Sequence, residues 1–176
     1  MQRWALSTQL MLDFQRYKRG VGKRDALKFA LLSSGFRSVI LLRLQGFFYV
    51  HKFYVFAYLI QGLNISLHGL DVVPGCKIGP GLRIEHPVGI VIGEGVVVGK
   101  NCTILSGVTL GLSHVDESSN DELYPVVEDE VIIGTKVSIL GGVTIGSNST
   151  IGAHSVVLQS FLQGSRIAGI PGRRIN

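Results

Sequence analysis

The sequence predicts a mainly β solenoid built from triangular coils, preceded by a short α-helical segment, and three observations predict it. From Val72 to Val157 an aliphatic residue returns at every sixth position, in two phased blocks. A small or apolar residue follows four positions after each aliphatic, and glycine often comes directly next, as in Ile78-Gly79, Ile133-Gly134 and Ile151-Gly152. Charge also divides the 176 residues: residues 1–65 carry ten Lys or Arg against Asp13 and Asp25, whereas the remainder is net acidic, within a total of +5.

The first 65 residues read as helical. A mixed face over residues 8–19 sets Leu10, Met11 and Phe14 beside Gln15 and Arg16, and residues 23–32 continue it after Gly20-Val21-Gly22. Residues 36–63 form a strongly apolar and aromatic stretch. A membrane span needs about 20 residues free of charge, and Arg43, His51 and Lys52 interrupt this one too often. Two uses remain for it: a helix pair that caps the prism or joins subunits, or a peripheral anchor on an anionic membrane surface. Nucleic acid is the weaker third option, because no recognised binding motif accompanies the charge.

The first repeat block reads Val72, Ile78, Ile84, skips two residues, then Ile92, Val98, Ile104 and Leu110. The second reads Val127, Ile133, Ile139, Ile145, Ile151 and Val157, after a polar loop over residues 112–125. A period of six fits neither a helix nor an alternating strand. A short strand and a tight corner per six residues give three faces and an 18-residue coil, with Gly and Asn relaxing the corners. Parallel coils stack at about 4.8 Å, so about five coils make a prism on the order of 24 Å tall. An ordinary sandwich would turn every 8 to 12 residues or so, which this spacing excludes.

Length accords with one compact unit and an attachment. The opening residues lack a continuous apolar core, so no secretory leader is expected and a cytoplasmic location is the default, with contact at the inner membrane face as the variant. Cys76 and Cys102 both take the small inward position of the repeat and read as buried thiols, not a disulfide.

The run Ile84-Glu85-His86-Pro87-Val88-Gly89, with Leu70-Asp71-Val72 before it, Ser106-Gly107-Val108-Thr109 after it and Ala168-Gly169-Ile170-Pro171-Gly172-Arg173 near the end, resembles the hexapeptide domain of the serine acetyltransferases. The resemblance covers residues 70 to 174. It implies a left-handed parallel β-helix over residues 66–176, an exception to the usual right-handed crossover. It also implies a homotrimer with sites between subunits, and acetyl transfer from acetyl-CoA to a hydroxyl without a metal. His86 matches the family's catalytic histidine, which takes the acceptor proton and returns it to the departing CoA sulfur. Asp71 matches the carboxylate that orients the histidine, a pairing that the 18-residue coil does not itself supply for positions 15 apart. Glu85 stands where the family carries Asp, and acceptor contact is expected of it. His114, in the polar loop, is the second candidate base and an acceptor contact. Gly111, Thr135, Gly152, Ala153, Pro171 and Arg173 match positions along the pantetheine groove, where small side chains let the cofactor approach the backbone.

One departure bears on the acceptor. Serine acetyltransferases carry Arg-His-Pro after the loop, and those side chains help to grip the amino acid; this sequence has Leu123-Tyr124-Pro125. Losing a charge-assisted bidentate contact costs about 1.5 to 3 kcal/mol. The short, basic lead-in resembles acetyltransferases of capsule and exopolysaccharide synthesis. The expectation is therefore a saccharide hydroxyl as acceptor, with Tyr124 among its contacts and serine O-acetylation as the alternative. A metal-dependent β-helix of the γ-type carbonic anhydrase kind would need three histidines between subunits, and the sequence offers only His86 and His114 there.

Overall fold

A computed structural model describes residues 4–17, 28, 32–113 and 123–175. Among the described residues three helices are delimited before the strands: α1 (Leu6–Tyr17), α2 (Ser34–Val50) and α3 (Tyr54–His68). The expected helix over residues 8–19 is α1, displaced by two residues at its start. The helix expected over residues 23–32 falls almost wholly outside the described residues. The stretch expected over 36–63 divides in two at His51-Lys52-Phe53, where Lys52 takes a φ of 65°. Ser33 caps α2 by accepting from the Phe36 N–H at 3.4 Å, and Gly69, left-handed at φ 65°, ends α3.

Among the described residues fifteen short strands follow, and they form three parallel faces. The first face stacks β1 (Leu70–Val72), β4 (Ile90–Ile92), β7 (Thr109–Gly111), β10 (Ser138–Leu140) and β13 (Val156–Val157). The second stacks β2 (Lys77–Ile78), β5 (Val97–Val98), β8 (Val126–Val127) and β11 (Thr144–Ile145), and a bridge from Ile145 to Phe161 adds a fifth layer. The third stacks β3 (Arg83–Glu85), β6 (Thr103–Leu105), β9 (Ile132–Ile133), β12 (Thr150–Ile151) and β14 (Arg166–Ala168), with β15 (Arg173–Ile175) turned back antiparallel on its edge.

The expected register holds. Val72, Ile92, Leu110, Ile139 and Val157 form one inward ladder; Ile84, Ile104, Ile133, Ile151 and Ile167 form another. These ladder residues are all buried in one core. Leu110 pairs with Ile139 rather than with the residue 18 positions on, so the loop is an insertion that leaves the stacking undisturbed. Leu70 pairs with Ile90, so the first coil carries two extra residues, and these lie at the corner that holds His86.

A solenoid ends in unpaired strand edges, a liability for any β structure. Here the helices cap the first edge with side chains. Asp13 Oδ1 accepts from the Leu82 N–H at 2.8 Å. The Tyr17 hydroxyl accepts from the Ile84 N–H at 2.7 Å and donates to the Ile84 carbonyl at 3.1 Å. Gln45 Nε2 donates to the Val72 carbonyl at 2.7 Å. Arg43 donates to the Ile78 and Gly79 carbonyls, each at 2.7 Å, while forking onto Asp13 at 2.8 and 3.1 Å. Val39 and Leu42 complete the cap by joining the coil core. Both cysteines are free, and burial pushes the Cys102 thiol up to about 11 and the Cys76 thiol up to about 12.

Candidate active site

The edge between the third and first faces carries most of the sequence-predicted residues. At this edge the chain turns after β3 through His86-Pro87-Val88-Gly89, after β9 through Gly134-Thr135-Lys136, and after β12 through Gly152-Ala153-His154. The corners are stacked by backbone bonds: Gly89 donates to the Gly69 carbonyl at 2.9 Å, Gly107 to Val88 at 3.0 Å, Lys136 to Ser106 at 2.8 Å, and His154 to Thr135 at 2.9 Å. His86, Lys136 and His154 all adopt left-handed φ values of 56°, 57° and 61°, which turn each side chain out of the coil. At about 4.8 Å per layer, Thr135 lies two coils and Ala153 three coils from His86, roughly 10 to 14 Å along one edge.

His86 is exposed at the topmost of these corners. Asp71 lies on β1 between the inward Leu70 and Val72, so it points outward on the first face. Its Oδ1 accepts from Gln61 Nε2 at 2.7 Å. The Gly89–Gly69 bond draws the His86 corner to the chain two residues before Asp71. Both residues therefore flank the same edge, although among the described residues the His86 ring has no hydrogen-bond partner and the Asp71 carboxylate is held by Gln61.

Glu85 leaves β3 beside His86, and its carboxylate is ion-paired with Arg83 Nη2. The two alternate about the inward Ile84, which is why one face of β3 carries both charges. Arg83 Nε is buried and has no hydrogen-bond partner among the described residues. The sequence reading left out Arg83 and Gln61. The spacing Arg-x-Glu-His was the available signal for the first, since residues two apart on a strand share a face; Gln61 gave none, because it reaches Asp71 from a different element.

The remaining expected residues are spread more widely. Gly111 ends β7 at the far side of the first face, where its carbonyl accepts from Gly141 at 2.9 Å. Among the described residues nothing lies within 4 Å of a Cβ built there, and the backbone is not left-handed, so none of them requires glycine at this position. Pro171 and Arg173 border a cleft of about 210 Å³ with Leu158, Gln159 and Gly172. Tyr124 is half-buried, and its ring covers Gly93 and Gly95, where a Cβ on Gly95 would collide with it and one on Gly93 would press against it. His114 lies outside the described residues. A cavity of about 800 Å³ sits between α1, α2 and the second-face corner of the first coil, and His86 does not line it. Among the described residues no group of three or more His, Cys, Asp or Glu could hold a metal ion.

Comparison with known proteins gives the family. The model for bacterial transferase hexapeptide (six repeats) matches residues 124–159, and that for the hexapeptide repeat of succinyl-transferase matches residues 89–112. The serine acetyltransferase of Synechococcus elongatus is 34% identical over 167 residues, covering 94% of this chain and 67% of the relative. The chain belongs to the serine acetyltransferase family. Among solved structures, the Neisseria gonorrhoeae serine acetyltransferase in complex with serine superposes with a TM-score of 0.86 at 31% identity, covering 97% of this chain and 69% of that one. A serine acetyltransferase in complex with CoA gives 0.84 at 29% identity, with the same coverage. The chain thus spans about two thirds of the length of these relatives. Family membership brings the left-handed parallel β-helix, acetyl-CoA as cosubstrate and an acyltransferase activity. These names do not support the kinship with capsule and exopolysaccharide enzymes drawn from the short lead-in.

Proposed function

We propose that the chain transfers acetyl from acetyl-CoA to the hydroxyl of L-serine, with His86 as general base. The observation that carries this reading is the edge itself: an exposed imidazole heads a column of small corner residues, in a chain whose relatives are serine acetyltransferases, one solved with CoA and one with serine. His86 removes the hydroxyl proton as the oxygen attacks the thioester carbonyl. The tetrahedral intermediate then collapses, the C–S bond breaks, and the imidazolium returns the proton to the CoA sulfur. Asp71, fixed by Gln61, is the carboxylate proposed to orient the imidazole as the site closes. Thr135, Gly152 and Ala153 offer the pantetheine arm close access to the backbone, and Gly111 serves from a neighbouring subunit of a homotrimer.

Arg83 supports serine over a saccharide. It lies on the strand that leads to His86, ion-paired with Glu85, and is the cation we assign to the serine carboxylate, since Leu123 and Tyr124 provide none. One observation favours a saccharide as the second reading: Tyr124 is held against Gly93 and Gly95, so the family's post-loop grip on an amino acid carboxylate has no counterpart in the described residues.

Release of free thiol from acetyl-CoA separates the two. The purified protein is offered L-serine, or a panel of nucleotide sugars and oligosaccharides, alongside His86→Asn, chosen because Asn tolerates a left-handed φ. Serine-dependent release that falls about 100-fold or more in the variant is the expected result. Release with a saccharide alone transfers the assignment to the second reading, and undiminished release in the variant removes His86 from the chemistry.

A further inference from the structure

The α2–α3 hairpin carries a surface that neither the coil core nor the candidate site uses. Residues 26–70 contain no Asp or Glu. Ala57, Asn64 and His68 are the buried residues of α3, and Asn64 Nδ2 reaches back to the Ser38 carbonyl of α2 at 3.0 Å. On the outward side Val55, Leu59, Leu63 and Leu67 recur at helical spacing and stay open to solvent, Val55 at 71% and Leu59 at 64%. At the hairpin end the rings of Phe47, Phe48, Phe53 and Phe56 meet one another at centroid separations of 5.6 to 6.5 Å. Phe53 and Phe56 nonetheless remain more than half exposed. Arg37 and the turn residue Lys52 are exposed on the same hairpin.

Large apolar side chains exposed together on one hairpin mark an interaction site, and its charge selects the occupant. A second copy of the hairpin would set cation against cation and bring no carboxylate from residues 26–70 to answer them. An anionic bilayer answers both features, with hydrocarbon for the aliphatic stripe and phosphate for Arg37 and Lys52. We propose that the α2–α3 hairpin docks the protein on an anionic lipid surface, with the aromatic end and the outward stripe of α3 lying in the headgroup region. It lies on the bilayer and does not cross it: among the described residues no helix is long and apolar enough to do so.

Sedimentation of the full chain with vesicles tests this, comparing pure phosphatidylcholine with a mixture of phosphatidylcholine and phosphatidylglycerol. The expected result is co-sedimentation with the anionic vesicles only, weakened about tenfold by Lys52→Glu and abolished by Leu59→Glu. Val55→Glu on the same stripe repeats the test, and circular dichroism checks that each variant is folded. Light scattering without lipid reads the other occupant. A fall in particle mass in Leu59→Glu would assign the stripe to a contact between copies and overturn the proposal. So would wild-type protein that stays in the supernatant with anionic vesicles, or that sediments equally with both kinds.

Discussion

Replacing Asp13 with alanine removes the one carboxylate that joins both helices of the cap to the first coil. Asp13 is fully buried; it receives the Arg43 fork and the Leu82 N–H. Its loss leaves the Arg43 guanidinium, itself only 5% exposed, without a counter-charge, a change that costs about 3 to 5 kcal/mol. The orphaned Leu82 N–H adds about 1 to 3 kcal/mol if no water reaches it. A sum near 5 kcal/mol is comparable with the whole stability of many domains, about 5 to 15 kcal/mol. Among the described residues the coils below the first receive no hydrogen bond from Asp13, so the cap should release first. Trp4, the only tryptophan, lies just before α1 with Lys100 Nζ of the second coil 5.9 Å from its ring centroid, which makes its fluorescence a reporter of docking. In a urea titration Asp13→Ala should give an early transition seen by Trp4, separate from the later loss of strand signal by circular dichroism. The double variant Asp13→Leu with Arg43→Met should recover most of the loss, because it leaves no charge unpaired. A single coincident transition shifted by less than about 1 kcal/mol would refute the reasoning, since it would mean that the ion pair does not hold the cap.

Three further outcomes follow from the packing of the cap, the coil core and the His86 edge. A Cβ on Gly35 would overlap the Ile84 carbonyl oxygen, so Gly35→Ala should destabilise the cap by about 3 kcal/mol or more, against the gain usual for this change within a helix; thermal melting decides it. Both thiols have their folded pKa raised above the ordinary value by burial. The stability linked to them is therefore complete below the unfolded thiol range and lost as pH rises through about 11 to 12. Native protein at pH 8 should react with a disulfide reagent only at its opening rate, and rapid two-thiol labelling would contradict this. Arg83→Met, if Arg83 grips a carboxylate-bearing acceptor, should raise the KM for that acceptor roughly tenfold with kcat nearly unchanged. A fall in kcat alone would place the residue in positioning Glu85 or His86.

The alternation of inward and outward residues, the coil length and the register were legible because they depend on side-chain period alone. Ile84, Ile104, Ile133 and Ile151 stack in the structure as their spacing requires, and even the two residues skipped before Ile92 and the loop over residues 112–125 could be placed from the phase of the repeat. His86 could be named from its motif, and its left-handed corner is the local consequence of the two inserted residues. The contacts of the site were less legible. Asp71 carries the family's carboxylate, yet its partner in the chain is Gln61, from a helix that the sequence joined to another. Tyr124 could be named as an acceptor contact, but its ring covers Gly93 and Gly95, one coil up in the stack and about 30 positions earlier in sequence.

The sequence by itself determined the solenoid, since a six-residue aliphatic period can be buried only by coils of three short faces stacked on one another. Only the tertiary structure decided how the solenoid ends. Whether Asp13, Tyr17, Arg43 and Gln45 meet solvent or the bare first-coil edge depends on where two helices come to rest, and no local propensity encodes that. The structure shows four polar side chains satisfying backbone groups on all three faces of that coil, because burying those groups unpaired would cost more than ordering the helices against them.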